Sequence, residues 1–160
     1  MNSIVPENLE SHFSEVSALI LAARNKSIQN VNRELINLYW QVGEYIASKV
    51  RTSDWGKSIV QELAAYIREA HPSIKGFSDK NLWRMKQFYE TYFSDEKLSA
   101  LLRELSWTNN LLILSKTKSV DEREYYIRLC IKENYSSREL ERQIDSGLFE
   151  RQVLANTNLI

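Results

Sequence analysis

His71-Pro72-Ser73-Ile74-Lys75-Gly76-Phe77-Ser78 stands between two amphipathic stretches, and its reading decides the fold. Pro72 stops a helix, because the residue before a proline is pushed out of helical geometry. Gly76 supplies turn chemistry. Ser78 restarts the helix, since its hydroxyl can accept a hydrogen bond from a free backbone N–H one turn on. The spacing predicts one helix from about Gly56 to Ala70, with Ile59, Leu63, Tyr66 and Ile67 inward, and another from Ser78 to about Tyr92. A stop, a turn and a start of this kind is what a helix-turn-helix requires, and such units often read DNA.

Working outward, Leu9, Phe13, Val16, Ile20 and Ala23 recur at spacings of three and four, an apolar helical stripe. After the polar Asn25-Lys26-Ser27, a second stripe of Val31, Leu35, Leu38, Val42, Tyr45 and Ile46 runs to about Val50. One long bent helix or two helices fit equally. Downstream, Ser94-Asp95-Glu96 opens a short helix through Leu98, Leu101 and Leu102. Leu111 to Leu114 is short and solidly apolar, and Thr108 as a cap favours helix over strand. Ser119 with Glu122, and Ser136 with Glu139, match the capping box. The first opens a helix carrying Tyr126, Leu129 and Cys130; the second opens one carrying Leu140 and Ile144 and closed by Gly147. The expected fold is all-α, a multi-helix bundle of about eight helices containing a helix-turn-helix-like unit.

The 160 residues suit one domain, 1–160, with possible subdomains at 1–52 and 53–150. Only 4 glycines and 2 prolines argue against a turn-rich β-sandwich. Lys and Arg number 21, as do Asp and Glu, so any DNA contact must come from a local patch. The lone Cys130 excludes an internal disulfide framework and reads as a small buried hydrophobe. With two histidines, His12 and His71, it cannot supply a standard zinc site. No apolar run reaches membrane-spanning length, and Met1-Asn2-Ser3-Ile4 lacks a leader pattern, so the expected location is the cytoplasm. There is no Gly-rich phosphate loop, no nucleophile triad and no distinguishable acid–base pair; no catalytic residue, metal or cofactor is expected.

On a helical wheel the stretch from Ser78 to Tyr92 sets Leu82, Met85, Tyr89 and Tyr92 on one face. Lys80, Arg84, Gln87 and Thr91 lie opposite, with Trp83 at the edge. Arg and Lys suit phosphate oxygens or guanine, and Asn and Gln suit adenine. Lys80, Asn81, Arg84 and Gln87 are therefore the groove-facing candidates. Lys75 and Lys86 are candidates for phosphates, Trp83 for stacking, and Lys57 and Arg68 are weaker phosphate candidates. A solvated polar helix face gives the same pattern. Lys116, Lys118, Arg123, Arg138 and Arg142 form a second basic group, diluted by Glu139 and Glu141. Trp40 and Trp107 lie in apolar runs and read as core.

Several short motifs occur in a fixed order: Val31-Asn32-Arg33-Glu34-Leu35, Leu38-Tyr39-Trp40-Gln41-Val42-Gly43, Trp55-Gly56, Gly76-Phe77-Ser78, Asn81-Leu82-Trp83-Arg84-Met85, Phe88-Tyr89, Leu105-Ser106-Trp107 and Tyr135-Ser136-Ser137-Arg138-Glu139-Leu140. Together they resemble the N-terminal domain of the YhcG family of bacterial proteins, from about Leu19 to Arg151. In that family a PDDEXK-type nuclease domain follows the helical domain. The resemblance implies a DNA-targeting or assembly module for a nuclease half that would lie beyond Ile160, so no catalytic residue is carried over. The family's tryptophan is commonly followed by Ser-His, where this chain has Thr108-Asn109. The expected function is DNA binding that targets the nuclease. The rival is a homo-oligomer built by the stripes of Leu9–Ala23 and Val31–Ile46, making the domain an assembly module.

Overall fold

The computed structural model describes residues 7–158, and among them every regular element is helical. The elements are α1 (Glu7–Ser53), α2 (Lys57–Ala70), α3 (Asp79–Tyr92) and α4 (Glu96–Leu101), which runs into a 3₁₀ turn (Leu102–Glu104). Then come α5 (Trp107–Lys116), α6 (Val120–Glu133), α7 (Ser137–Asp145) and α8 (Leu148–Asn158). Met1-Asn2-Ser3-Ile4 and the side chains of Leu9 and His12 lie outside the described residues.

The two stripes of the N-terminal region form one continuous helix of 47 residues. Asn25-Lys26-Ser27 does not break it, because none of the three removes a backbone donor or demands a left-handed conformation. The helix ends where Asp54 turns left-handed, at φ 56°.

The core face of α1 differs from the expected stripe. Ile36, Tyr39, Gly43, Ile46 and Ala47 are buried, whereas Val31, Leu35, Leu38 and Tyr45 are exposed. The inward residues pack chiefly on α3, through Leu82, Met85, Phe88 and Tyr92. Around that pair one cluster gathers Val60 of α2, Leu98 of α4, Ile113 of α5, Tyr126 and Ile127 of α6, and Leu140 of α7. Trp40 stands edge-on to Phe88 and Tyr89, at 5.7 and 5.1 Å between ring centroids.

α2 is rotated from its expected setting. Val60 and Ala64 are buried, while Ile59 and Tyr66 face solvent. This helix rests mainly on α3, so only a narrow strip of it is covered.

The helix starts follow local capping. Ser78, Ser119 and Ser136 each accept from the backbone N–H three residues on, at 3.1, 3.1 and 3.2 Å. Of two further starts, the second departs from the expected cap. α4 is capped by Asp95, whose carboxylate accepts from Leu98 N at 3.0 Å. α5 is capped by Ser106 rather than Thr108, with Asn109 N as donor at 3.1 Å. Glu122 reaches back past its cap to Lys118 N at 3.0 Å. Gly147, at φ 74°, closes α7 but only re-aims the chain, since α8 follows at once.

Candidate nucleic-acid interface

The connection from α2 to α3 spans His71–Ser78, longer than the turn of about three or four residues in the usual helix-turn-helix. It is held from both sides. Gly76 adopts φ 95°, a left-handed conformation that side chains rarely take. Its carbonyl accepts from the side-chain amide of Asn81. The Oδ1 of Asn81 in turn accepts from the indole N–H of Trp107 at 3.2 Å. Tyr39 of α1 completes the corner, with ring centroids 4.7 Å from Trp107 and 6.0 Å from Phe77.

Both ends of the Asn81 amide are therefore engaged within the fold. The side chain expected to reach a base edge instead staples the turn to α5.

The other candidates divide into two sets. Lys75, Lys80, Arg84 and Gln87 are exposed, Lys75 in the turn and the others along one strip of α3. Arg84 and Gln87 line a shallow groove against Thr108, Leu111, Leu112 and Ser115 of α5. Arg68, near the end of α2, shares a second small hollow with Lys75 and Gly76. None of Arg68, Lys75, Lys80 and Arg84 has an ion-pair partner among the described residues.

Trp83 and Lys86 form the second set. Trp83 is half-buried against the core rather than open for stacking. The ammonium of Lys86 lies 5.6 Å from the centre of its ring and pairs with Glu90 at 2.6 Å. A lysine held over an aromatic ring and neutralised by a carboxylate one turn away belongs to the surface of α3 itself. Lys57 sits at the first turn of α2, the far end of that helix from the turn.

The second basic group does not merge with the first. α7 packs principally on α5, which stands between it and α3. Lys116 pairs with Asp145 at 2.8 Å and Glu141 at 3.4 Å, and Arg142 pairs with Glu139 at 3.0 Å. The hydrogen bond to Asp145 holds the Lys116 ammonium above its ordinary pKa.

Residues of other quoted motifs serve as structural links. Asn32 donates to the carbonyls of Arg103 and Leu105 at 3.1 and 2.9 Å, and Arg33 pairs with Glu104 at 2.9 Å. Asn109 donates to the carbonyl of Tyr135 at 3.0 Å and accepts from the Ser137 hydroxyl at 2.7 Å. Asn109 alone of these is buried, and an amide within an apolar run was the one signal of its tie that the sequence offers.

No group of three or more His, Cys, Asp or Glu side chains comes together to hold a metal ion among the described residues. Burial pushes the Cys130 thiol up to about 12, the opposite of an activated nucleophile. No described helix is long and apolar enough to cross a membrane.

A family model described as the DUF1016 N-terminal domain matches the chain over residues 15–151. No curated protein and no solved structure matches the chain. The match spans most of the molecule, including the corner built by Tyr39, Gly76, Asn81 and Trp107, and the chain belongs to the family of the DUF1016 N-terminal domain.

Proposed function

We propose that this domain is a non-catalytic DNA-contacting module. Its contact surface is the open strip of Lys75, Lys80, Arg84 and Gln87, with Arg68 beside it. One observation carries the reading. The chain has no net charge, and Arg33, Lys86, Lys116, Arg128 and Arg142 are each paired with a carboxylate. The cations of this strip are exposed and have no such partner among the described residues; exposed Lys57, Lys97 and Lys132 share that state, but only the strip groups its cations at the α2–α3 turn and along α3 beside Gln87. Exposed, uncompensated cations beside an amide side chain are what phosphate positioning and groove contact require. The resemblance to the YhcG family adds the cargo: a PDDEXK-type nuclease half that the strip would bring onto the duplex.

The test is fluorescence anisotropy with a labelled random-sequence duplex, read across a salt series. Binding should fall log-linearly with salt, with a slope of about 0.9 per phosphate neutralised. Arg84→Ala and Lys80→Ala should each weaken binding and reduce that slope by about 1. Lys116→Ala, which removes a cation already neutralised, should leave the slope unchanged. Equal slopes in all four proteins would overturn the assignment.

A further inference from the structure

The longest uncovered feature of the molecule is the outer side of α1. Ile28, Val31, Leu35, Leu38, Val42 and Tyr45 succeed one another at steps of three, four, three, four and three. That is the heptad spacing of a coiled-coil seam. Val42 is half-buried; the other five are between 40% (Leu38) and 60% (Val31) exposed. Phe13, Val16 and Ile20 continue the stripe toward the N-terminus at 54–62% exposure. Arg24 stands at the step between the two groups, where Ile20 and Ile28 lie eight residues apart, one more than a heptad, which shifts the register. The face buried in the bundle, Ile36, Tyr39, Gly43 and Ile46, is the adjoining stripe, about a quarter of a turn away.

Two arguments say that this stripe is covered in solution. Every described side chain from Ser11 to Val31 is exposed, so that length of helix gains no packing from its own bundle. Helices owe most of their stability to such packing. The stripe also lines up eight apolar side chains at 40–62% exposure, a continuous apolar surface of the kind that marks an interaction site.

We propose that α1 pairs with α1 of a second copy of this chain along this seam, making a two-fold dimer. A heptad seam is its own complement, so a second copy satisfies it without a further sequence. The flanking residues favour this occupant. Ser27, Asn30, Asn37 and Gln41 are uncharged, and Glu34 and Glu44, ten residues apart, are the carboxylates beside the seam, so the flanks carry little like charge. A lipid surface would call for a basic rim, which these residues do not provide. The proposal rests on α1 alone and is independent of the strip on α3.

The experiment is sedimentation equilibrium of the 160-residue chain from about 1 to about 100 μM, a range that reads micromolar dissociation constants. The expected mass is twice the 18.8 kDa of the single chain. Leu35→Glu combined with Leu38→Glu should weaken association at least about 100-fold. Circular dichroism checks that the bundle stays folded. Should it not, Val31→Glu, at a more exposed position, is the replacement, with the same expected direction. A wild-type monomer at about 100 μM, a trimer or tetramer, or a dimer that withstands the folded variant would each overturn the proposal.

Discussion

Gly43 shows how much of this fold hangs on one missing side chain. A Cβ built there would lie 2.1 Å from the carbonyl oxygen of Met85 and 2.6 Å from its carbonyl carbon. Both are backbone atoms inside α3, so no rotamer change relieves the clash; α1 and α3 would have to move apart. Their shared face carries Leu82, Met85 and Phe88, all fully buried. Gly43→Ala removes no contact and improves helix propensity, so the propensity argument alone favours the variant. The overpacking argument outweighs it. A loss of about 3 kcal/mol is expected, the upper end of the ordinary cost of forcing atoms into a packed core. Urea denaturation measures it directly. A variant within about 0.5 kcal/mol of the parent, the range of an ordinary surface substitution, would mean that the helices separate freely.

α3 has two faces with two tasks, and its substitutions should separate them. Leu82→Ala creates a cavity in the core and is expected to cost about 2–5 kcal/mol. Lys80→Ala touches no buried contact and is expected to stay within about 0.5 kcal/mol in stability while weakening DNA binding. Thermal melts and anisotropy on the same two variants provide the check; a Lys80 variant that melted early would tie this residue to the fold instead. The two faces were legible because the wheel sets Leu82 and Met85 against Lys80 and Arg84. The caps at Ser78, Ser119 and Ser136 were legible too, since a cap is a local interaction written within four residues. The rotation of α1 was not, because Val31, Leu35 and Leu38 alternate with Ile36, Tyr39 and Ile46. Two apolar stripes on one helix do not say which the bundle will cover. Asn81 was misread for a related reason. Its partners are the carbonyl of Gly76 and the indole of Trp107, and the latter lies 26 positions away.

At the scale of the molecule, the C-terminal half of α1 is the central member of the bundle. Ile36, Tyr39 and Ile46 belong to the same buried cluster as Leu102, Tyr126, Leu140 and Ile144. Asn32 and Arg33 further bind α1 to the 3₁₀ turn. A boundary near residue 52 therefore cuts the chain without dividing its core. The four tryptophans report on α1, on the connection to α2, on α3 and on the start of α5, whereas far-UV circular dichroism reports on every helix. The two signals should give the same urea midpoint if that core melts as a unit. The part of α1 before Asn32 stands outside the cluster and is expected to unfold with it only while held by a second chain. Diluting the protein below its dissociation constant should then make the dichroism change begin earlier than the fluorescence change. Removal of residues 1–53 is expected to abolish cooperative unfolding in the remainder, because it opens the face of α3 that α1 covers. A sharp, coincident transition in the shortened chain would show instead that α2–α8 form a core without α1.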